Sequence, residues 1–193
     1  YSVLKETFFK GVFKLPAGHY MTYENGQLTI EKYWEASFEP VERPLDQIIE
    51  EIDTAVRESV EAHTNADVKV GSFLSSGVDS SYVASVLRPD KTFTVGFSAE
   101  NFSEIDNAAE LSKELGIENV NEVLDPKECF NNFNKMQYMM DEPHSNPSIV
   151  PLYFLARLAR QHVTVVLSGE GADELFGGYD EYTDTPNMKK YKN

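Results

Sequence analysis

Val68-Lys69-Val70-Gly71-Ser72-Phe73-Leu74, followed at once by Ser75-Ser76-Gly77-Val78-Asp79-Ser80-Ser81, decides how the rest of this 193-residue chain is read. An apolar run of strand length meets a serine- and glycine-containing turn, and a helical pattern follows over about 80–87. The order recurs downstream: strand 92–97, helix about 105–115, strand 120–124, helices about 126–140 and 150–161, and strand 163–167. Strands alternating with helices at this spacing predict right-handed crossovers. The expected fold class is α/β, a doubly wound, mostly parallel sheet with helices on both faces. Ligands of such sheets gather where strand C-termini meet helix N-termini, so the turn at 74–81 is placed for an anion.

Upstream, Leu45, Ile48, Ile49, Ile52, Val56 and Val60 fall at helical spacing and predict a long amphipathic helix. Residues 1–38 read differently, as short strands at 8–13, 18–23 and 27–31 with Asn25-Gly26 in a hairpin turn. So few strands cannot cover a sheet face. The expectation is a β remnant over 1–38, a linker at 39–44 around Pro40 and Pro44, and an α/β part over 45–193. The polar stretch 179–193 does not read as a domain end, and both ends suggest a piece of a longer protein.

Thirty-two acidic against 17 basic side chains give a net charge of −15. That field repels phosphate backbones and anionic lipid, which argues against a nucleic-acid or membrane-surface partner. The single cysteine, Cys129, leaves no internal disulfide framework. With no apolar run long enough for a bilayer and no secretory pattern at Tyr1-Ser2-Val3-Leu4, the expected location is cytoplasmic.

In the first turn, the hydroxyls of Ser75, Ser76, Ser80 and Ser81, Gly77 and the free N–H groups of a helix start make a cradle for a phosphate chain. Asp79 would repel phosphate by itself and makes sense if Mg²⁺ bridges carboxylate and phosphate. The alternative is a serine cap with a glycine turn. The spacing is not that of a Walker A loop, because Val78 stands where its lysine belongs. The turn resembles the nucleotide loop of the ATP pyrophosphatase family, Ser-Gly-Gly-x-Asp-Ser, with Ser76 replacing the first glycine. That family has an adenine nucleotide alpha hydrolase-like fold and cleaves ATP between its α and β phosphates.

The second motif is Leu167-Ser168-Gly169-Glu170-Gly171-Ala172-Asp173-Glu174-Leu175-Phe176-Gly177-Gly178-Tyr179. Glu170, Asp173 and Glu174 are costly together unless solvated or facing a cation. If the turn is helical, Glu170 and Asp173 share a face. Glu174 is read as a solvated acid favoured at a helix start. The stretch resembles the asparagine synthetase signature Ser-Gly-Glu-Gly-x-Asp-Glu-x-Phe-Gly-Gly-Tyr throughout, and with Thr94-Val95-Gly96-Phe97 the resemblance spans about 44–182. Residues 1–38 resemble the last strands of that family's glutaminase domain.

The resemblance implies ATP-dependent conversion of aspartate to asparagine through β-aspartyl-AMP, with AMP and pyrophosphate released and ammonia drawn from glutamine. It implies a pyrophosphate site at Ser75, Gly77, Asp79, Ser80 and Ser81. It puts adenosine at Leu74 and Val95, and ribose and α-phosphate at Ser168 and Gly169. Asp79 and Asp173 would hold Mg²⁺, and Glu170 would act near the acyl-adenylate. Expected partners are small molecules, with a homodimer the one assembly considered. The glutaminase nucleophile is absent from the chain, which by itself is not expected to hydrolyse glutamine or to be complete. Two alternatives stand beside this reading: a β-lactam synthetase-like or other ATP pyrophosphatase acting on another carboxylate, and a non-catalytic nucleotide-binding module.

Other residues receive bland readings. Asp141-Glu142-Pro143-His144 is read as a turn before a helix, and His19, His63 and His162 are given no chemistry. Cys129, Phe130, Phe133 and Tyr138 are read as helix packing.

Overall fold

The computed structural model describes residues 5–97, 104–143 and 145–182. Near its start, β1 (His19–Glu24) and β2 (Gln27–Lys32) form an antiparallel hairpin. Asn25 and Gly26 turn it with φ of 51° and 79°, as the Asn-Gly pair requires. The expected strand at 8–13 is not there. Gly11 reverses the chain at φ 83°, and Thr7 Oγ1 donates to Val12 O at 2.8 Å, with Phe9 O also within 3.1 Å, while accepting from Phe9 N–H, so only a Glu6–Phe13 bridge forms.

Helix α1 (Leu45–His63) follows, with Val60 as its one buried residue. Its Asp53 accepts from the Tyr82 hydroxyl of α2 (Val78–Leu87) and from Arg57 Nε at 2.7 Å, which fixes α1 against α2. The sheet holds four parallel strands, β3 (Val70–Phe73), β4 (Lys91–Phe97), β5 (Glu118–Leu124) and β6 (Val165–Leu167), in the order β5-β4-β3-β6. The chain moves one way through α2 and α3 (Glu104–Leu115). It then returns across the sheet through α4 (Pro126–Met139) and α5 (Ile149–Ala159). With right-handed crossovers, reversing the direction puts the later helices on the opposite face.

The two faces are built differently. Phe93, Val95 and Leu124 pack with Cys129, Met136, Ile149, Phe154 and Leu158 of α4 and α5 in one apolar cluster. Leu74, Ala84 and Ala108 form a smaller cluster with Leu111 under α2 and α3. Arg157 of α5 joins the layers, donating to Glu122 Oε1 at 2.7 Å and Glu128 Oε1 at 2.5 Å. Both carboxylates hold its guanidinium pKa above the usual value, Glu128 foremost. The doubly wound arrangement and the core placement of Cys129 follow the sequence expectation. The packing assigned to α4's aromatics does not: Phe130 is 86% exposed and Tyr138 85%, with Phe133 half open, because Cys129 and Met136 supply the buried face. Among the described residues no helix is long and apolar enough to cross a membrane.

Candidate functional site

The reversal of strand order falls between β3 and β6, and the two motif loops leave the C-terminal ends of these adjacent strands. In the first loop, Ser75 Oγ accepts from Gly77 N–H at 3.1 Å and lies 2.8 Å from Ser80 Oγ. Ser80 Oγ in turn accepts from Ser75 N–H at 3.1 Å. Ser81 Oγ donates to Gly77 O at 2.7 Å. Serine chemistry therefore shapes the loop first, with three of the expected cradle hydroxyls engaged inside it. Gly77 begins α2 with no side-chain cap, leaving the first-turn N–H groups without that partner. Ser76 is not among the residues with positive φ, so serine occupies that position without strain.

In the second loop Ser168 Oγ accepts from Glu170 N–H at 3.4 Å. Gly171, at φ 93°, turns the chain into α6 (Ala172–Phe176). This left-handed turn is open to glycine at little cost. Glu170 thus lies outside the helix, and its expected common helical face with Asp173 is not formed; the turn at Gly171 brings the two carboxylates to the same cleft instead.

The loops meet at Gly169. A Cβ there would lie 2.7 Å from Ser80 N and 2.8 Å from both Asp79 C and Asp79 Cβ. Between them is a cleft of about 180 Å³ lined by Ser75, Gly77, Asp79 and Ser80 on one side and Gly169, Glu170, Gly171, Asp173 and Tyr179 on the other. Seven of the expected site residues are brought together in this way. Ser81 and Ser168 are tied into the flanking backbone. Leu74 and Val95 are not brought into the cleft; both side chains are buried, Leu74 in the smaller cluster and Val95 in the larger one.

Three of the lining side chains are carboxylates and none is basic. Such a cleft favours a ligand that brings a cation with it. Among the described residues no three metal-binding side chains converge on one point. Two hard carboxylates, Asp79 and Asp173, facing one polar cleft suit a magnesium ion that arrives with phosphate oxygens better than a preformed cage.

Tyr179 and Gly171 also line the cleft, although the sequence gives them no site role beyond their places in the second motif. Tyr179 closes its own motif, and Glu174 five residues earlier was the available signal. Its hydroxyl donates to Glu174 Oε1 at 2.7 Å and its ring stacks edge-on against Tyr182, so Glu174 is paired rather than merely solvated. The hydrogen bond to Glu174, with further repulsion from Asp173 and Glu170, pushes the phenol up to about 12. Because the folded pKa is raised, the associated stabilisation is present below the ordinary value near 10 and is lost as pH rises through about 12. Alkaline titration followed by phenolate absorbance is expected to lose one late step, near pH 12, in Tyr179→Phe. Loss of a step near pH 10 instead would show that the Glu174 bond does not hold in solution.

Asp141, at φ 61°, and Glu142 form the expected turn, and Glu142 pairs with Lys14 at 2.8 Å. His144 lies outside the described residues.

The asparagine synthase family model matches residues 51–193. Asparagine synthetase [glutamine-hydrolyzing] 1 of Bacillus subtilis (strain 168) is 44% identical over 181 residues, which cover 92% of this chain and 29% of that protein. A Mycobacterium tuberculosis (strain H37Rv) protein provisionally named for the same activity is 40% identical, covering 96% of this chain and 30% of its own length. Amidase chyE of Penicillium rubens is 28% identical, covering 91% and 30% respectively. The chain therefore spans about 30% of the length of these relatives.

Proposed function

We propose, from the premise that this chain belongs to the asparagine synthase family, that its two loops form the ATP half of a carboxylate-activating site. The parent protein then makes asparagine from aspartate, with ammonia released from glutamine. The observation that carries this reading is the backbone contact of Gly169 with Asp79 and Ser80, which joins both motifs in one acidic cleft. In the same reading residues 1–38 are the end of a glutaminase domain, 39–44 a linker, 45–193 the first part of the synthetase domain, and the setting is cytoplasmic.

The chemistry follows from the residues. The uncapped start of α2 receives the β and γ phosphates through N–H groups, and the α-phosphate lies against the second loop at Ser168 and Gly169, which the close approach of Gly169 holds beside Asp79 and Ser80. A β-carboxylate oxygen of aspartate attacks the α-phosphorus, the bond to the bridging oxygen of the β-phosphate breaks, and pyrophosphate leaves. Ammonia then attacks the acyl carbon, the acyl–oxygen bond breaks, and AMP departs. Glu170, outside α6 and on the cleft wall, takes the proton that the nitrogen sheds. Asp79 and Asp173 would hold Mg²⁺, whose charge offsets that of the leaving pyrophosphate. Tyr179, kept neutral, stays a donor beside these acids.

Calorimetry of ATP with and without Mg²⁺ tests the reading on this chain. Magnesium-dependent binding is expected, weakened by about 10- to 100-fold in Asp79→Ala, equivalent to about 1.4–2.7 kcal/mol. Binding that ignores both the metal and the substitution would sink the assignment of the first loop, as would the absence of binding by the folded chain. In the full-length parent, pyrophosphate release that depends on aspartate separates this reading from adenylation of another carboxylate.

A further inference from the structure

The sheet face under α2 and α3 carries a layer of small polar side chains where apolar ones are usual. Ser72 and Thr94 are buried there, with Thr92 between them, and in register Thr92 lies beside Asn119 and Thr94 beside Asn121. Asn119 Oδ1 accepts from Asn121 Nδ2 at 3.1 Å, which orients its amide. Its Nδ2 donates to Thr92 Oγ1 and Thr94 Oγ1, each at 3.0 Å. The Thr94 hydroxyl, its lone pair engaged by Asn119, sends its hydrogen to Leu74 O at 2.8 Å. Leu74 N–H already donates to Phe93 O at 2.9 Å, so β4 grips the residue before the first loop through both of its backbone groups. The layer reaches the second loop too: Ser72 Oγ is 3.3 Å from Leu167 O, at the end of β6.

A valine at position 94 would fill the same space without a polar group to satisfy. A buried polar network is costly when incomplete and, when complete, fixes one arrangement. Here it is complete, with no buried side-chain nitrogen or oxygen unpartnered among the described residues. Thr94 is 1% exposed and does not line the cleft, so its hydroxyl does not serve by touching a ligand.

We propose that Thr94, oriented by Asn119, is a positioning residue for the first loop. It fixes the Leu74 carbonyl and thereby sets where Ser75, Asp79 and Ser80 stand relative to Gly169. The proposal rests on the nucleotide reading of the cleft for its ligand, and its test is arranged so that the two fail separately.

Magnesium-ATP binding is measured by calorimetry on this chain and on Thr94→Val, Thr94→Ser and Asn119→Ala, beside amide hydrogen exchange without ligand. A misplaced cradle is expected to raise the Kd about tenfold in Thr94→Val, with Asn119→Ala at about threefold and Thr94→Ser within about twofold of the parent. Exchange at Ser75, Gly77 and Ser81 is expected to quicken in Thr94→Val while α4 and α5 keep their rates. Unchanged binding by folded Thr94→Val, or equal damage from Thr94→Ser, overturns the proposal, since the hydroxyl would then do nothing that packing does not. If the unsubstituted chain binds no ATP, the nucleotide reading falls, and exchange alone decides: local quickening supports the positioning role, uniform or absent quickening overturns it. If Thr94→Val does not fold, Asn119→Ala carries the same comparison.

Discussion

Gly169→Ala is expected to abolish nucleotide binding and, in the full-length parent, adenylation, by about 100-fold or more. The added methyl carbon would lie 2.7 Å from Ser80 N and 2.8 Å from Asp79 C. These are backbone atoms at the start of α2, which cannot rotate away as a side chain would. The two loops must separate, and every group that faces across the cleft is misplaced together. Gly77→Ala is the internal comparison, because a Cβ at Gly77 meets only the Ser75 hydroxyl, at 3.2 Å. Its effect is expected to be about tenfold smaller, because one side-chain hydroxyl has to shift there rather than backbone. Calorimetry of both variants checks the contrast. Equal, mild losses would mean that the loops do not meet as closely in solution as at Gly169 here.

Phe93→Ala carries the largest expected loss of stability. The ring is fully buried at the centre of the sheet, among residues of α4 and α5, with His162 at 5.7 Å between ring centroids. Deleting such a ring costs about 3–5 kcal/mol, transfer and cavity together. A domain of this size holds about 5–15 kcal/mol in all. The urea midpoint is expected to fall sharply with little change in slope. Phe133→Ala, at a half-open position of α4, is the contrast and is expected to cost about 1 kcal/mol, well below Phe93→Ala. A loss at Phe133 comparable with that at Phe93 would mean that the aromatic side of α4 is covered after all.

What the sequence made legible follows from what kind of signal each feature leaves. The strand, turn and helix of the first motif are local, and period and glycine placement suffice to read them. The cleft was legible because both motifs sit at the same place in the strand–helix unit, which forces them together once β3 and β6 are neighbours. The shared face considered for Glu170 and Asp173 does not form because the helix starts only at Ala172, and a left-handed Gly171 looks, in sequence, like any glycine. The aromatics of α4 misled because a helix side rich in Phe and Tyr reads as core, while the buried positions went to Cys129 and Met136. Least legible was the hydroxyl layer. Thr92 and Thr94 alternate within a β-rich run and pass for β-branched strand formers, and only their pairing with Asn119, 25 to 27 residues away, shows that their oxygens matter.

The position of β6 bears on the order in which the molecule acquires its cleft. Pairing among β3, β4 and β5 joins segments near one another in sequence, whereas β3 meets β6 across 95 residues. Closing a loop of that length demands an entropic outlay before any contact repays it, so this pairing belongs late in folding. The cleft lies at this last seam, and the second loop hangs from a three-residue strand at the edge of the sheet. Any ligand that spans the seam binds only chains that have finished folding. It therefore draws the population toward closure by mass action, and the least secure join in the sheet becomes the one that occupancy strengthens.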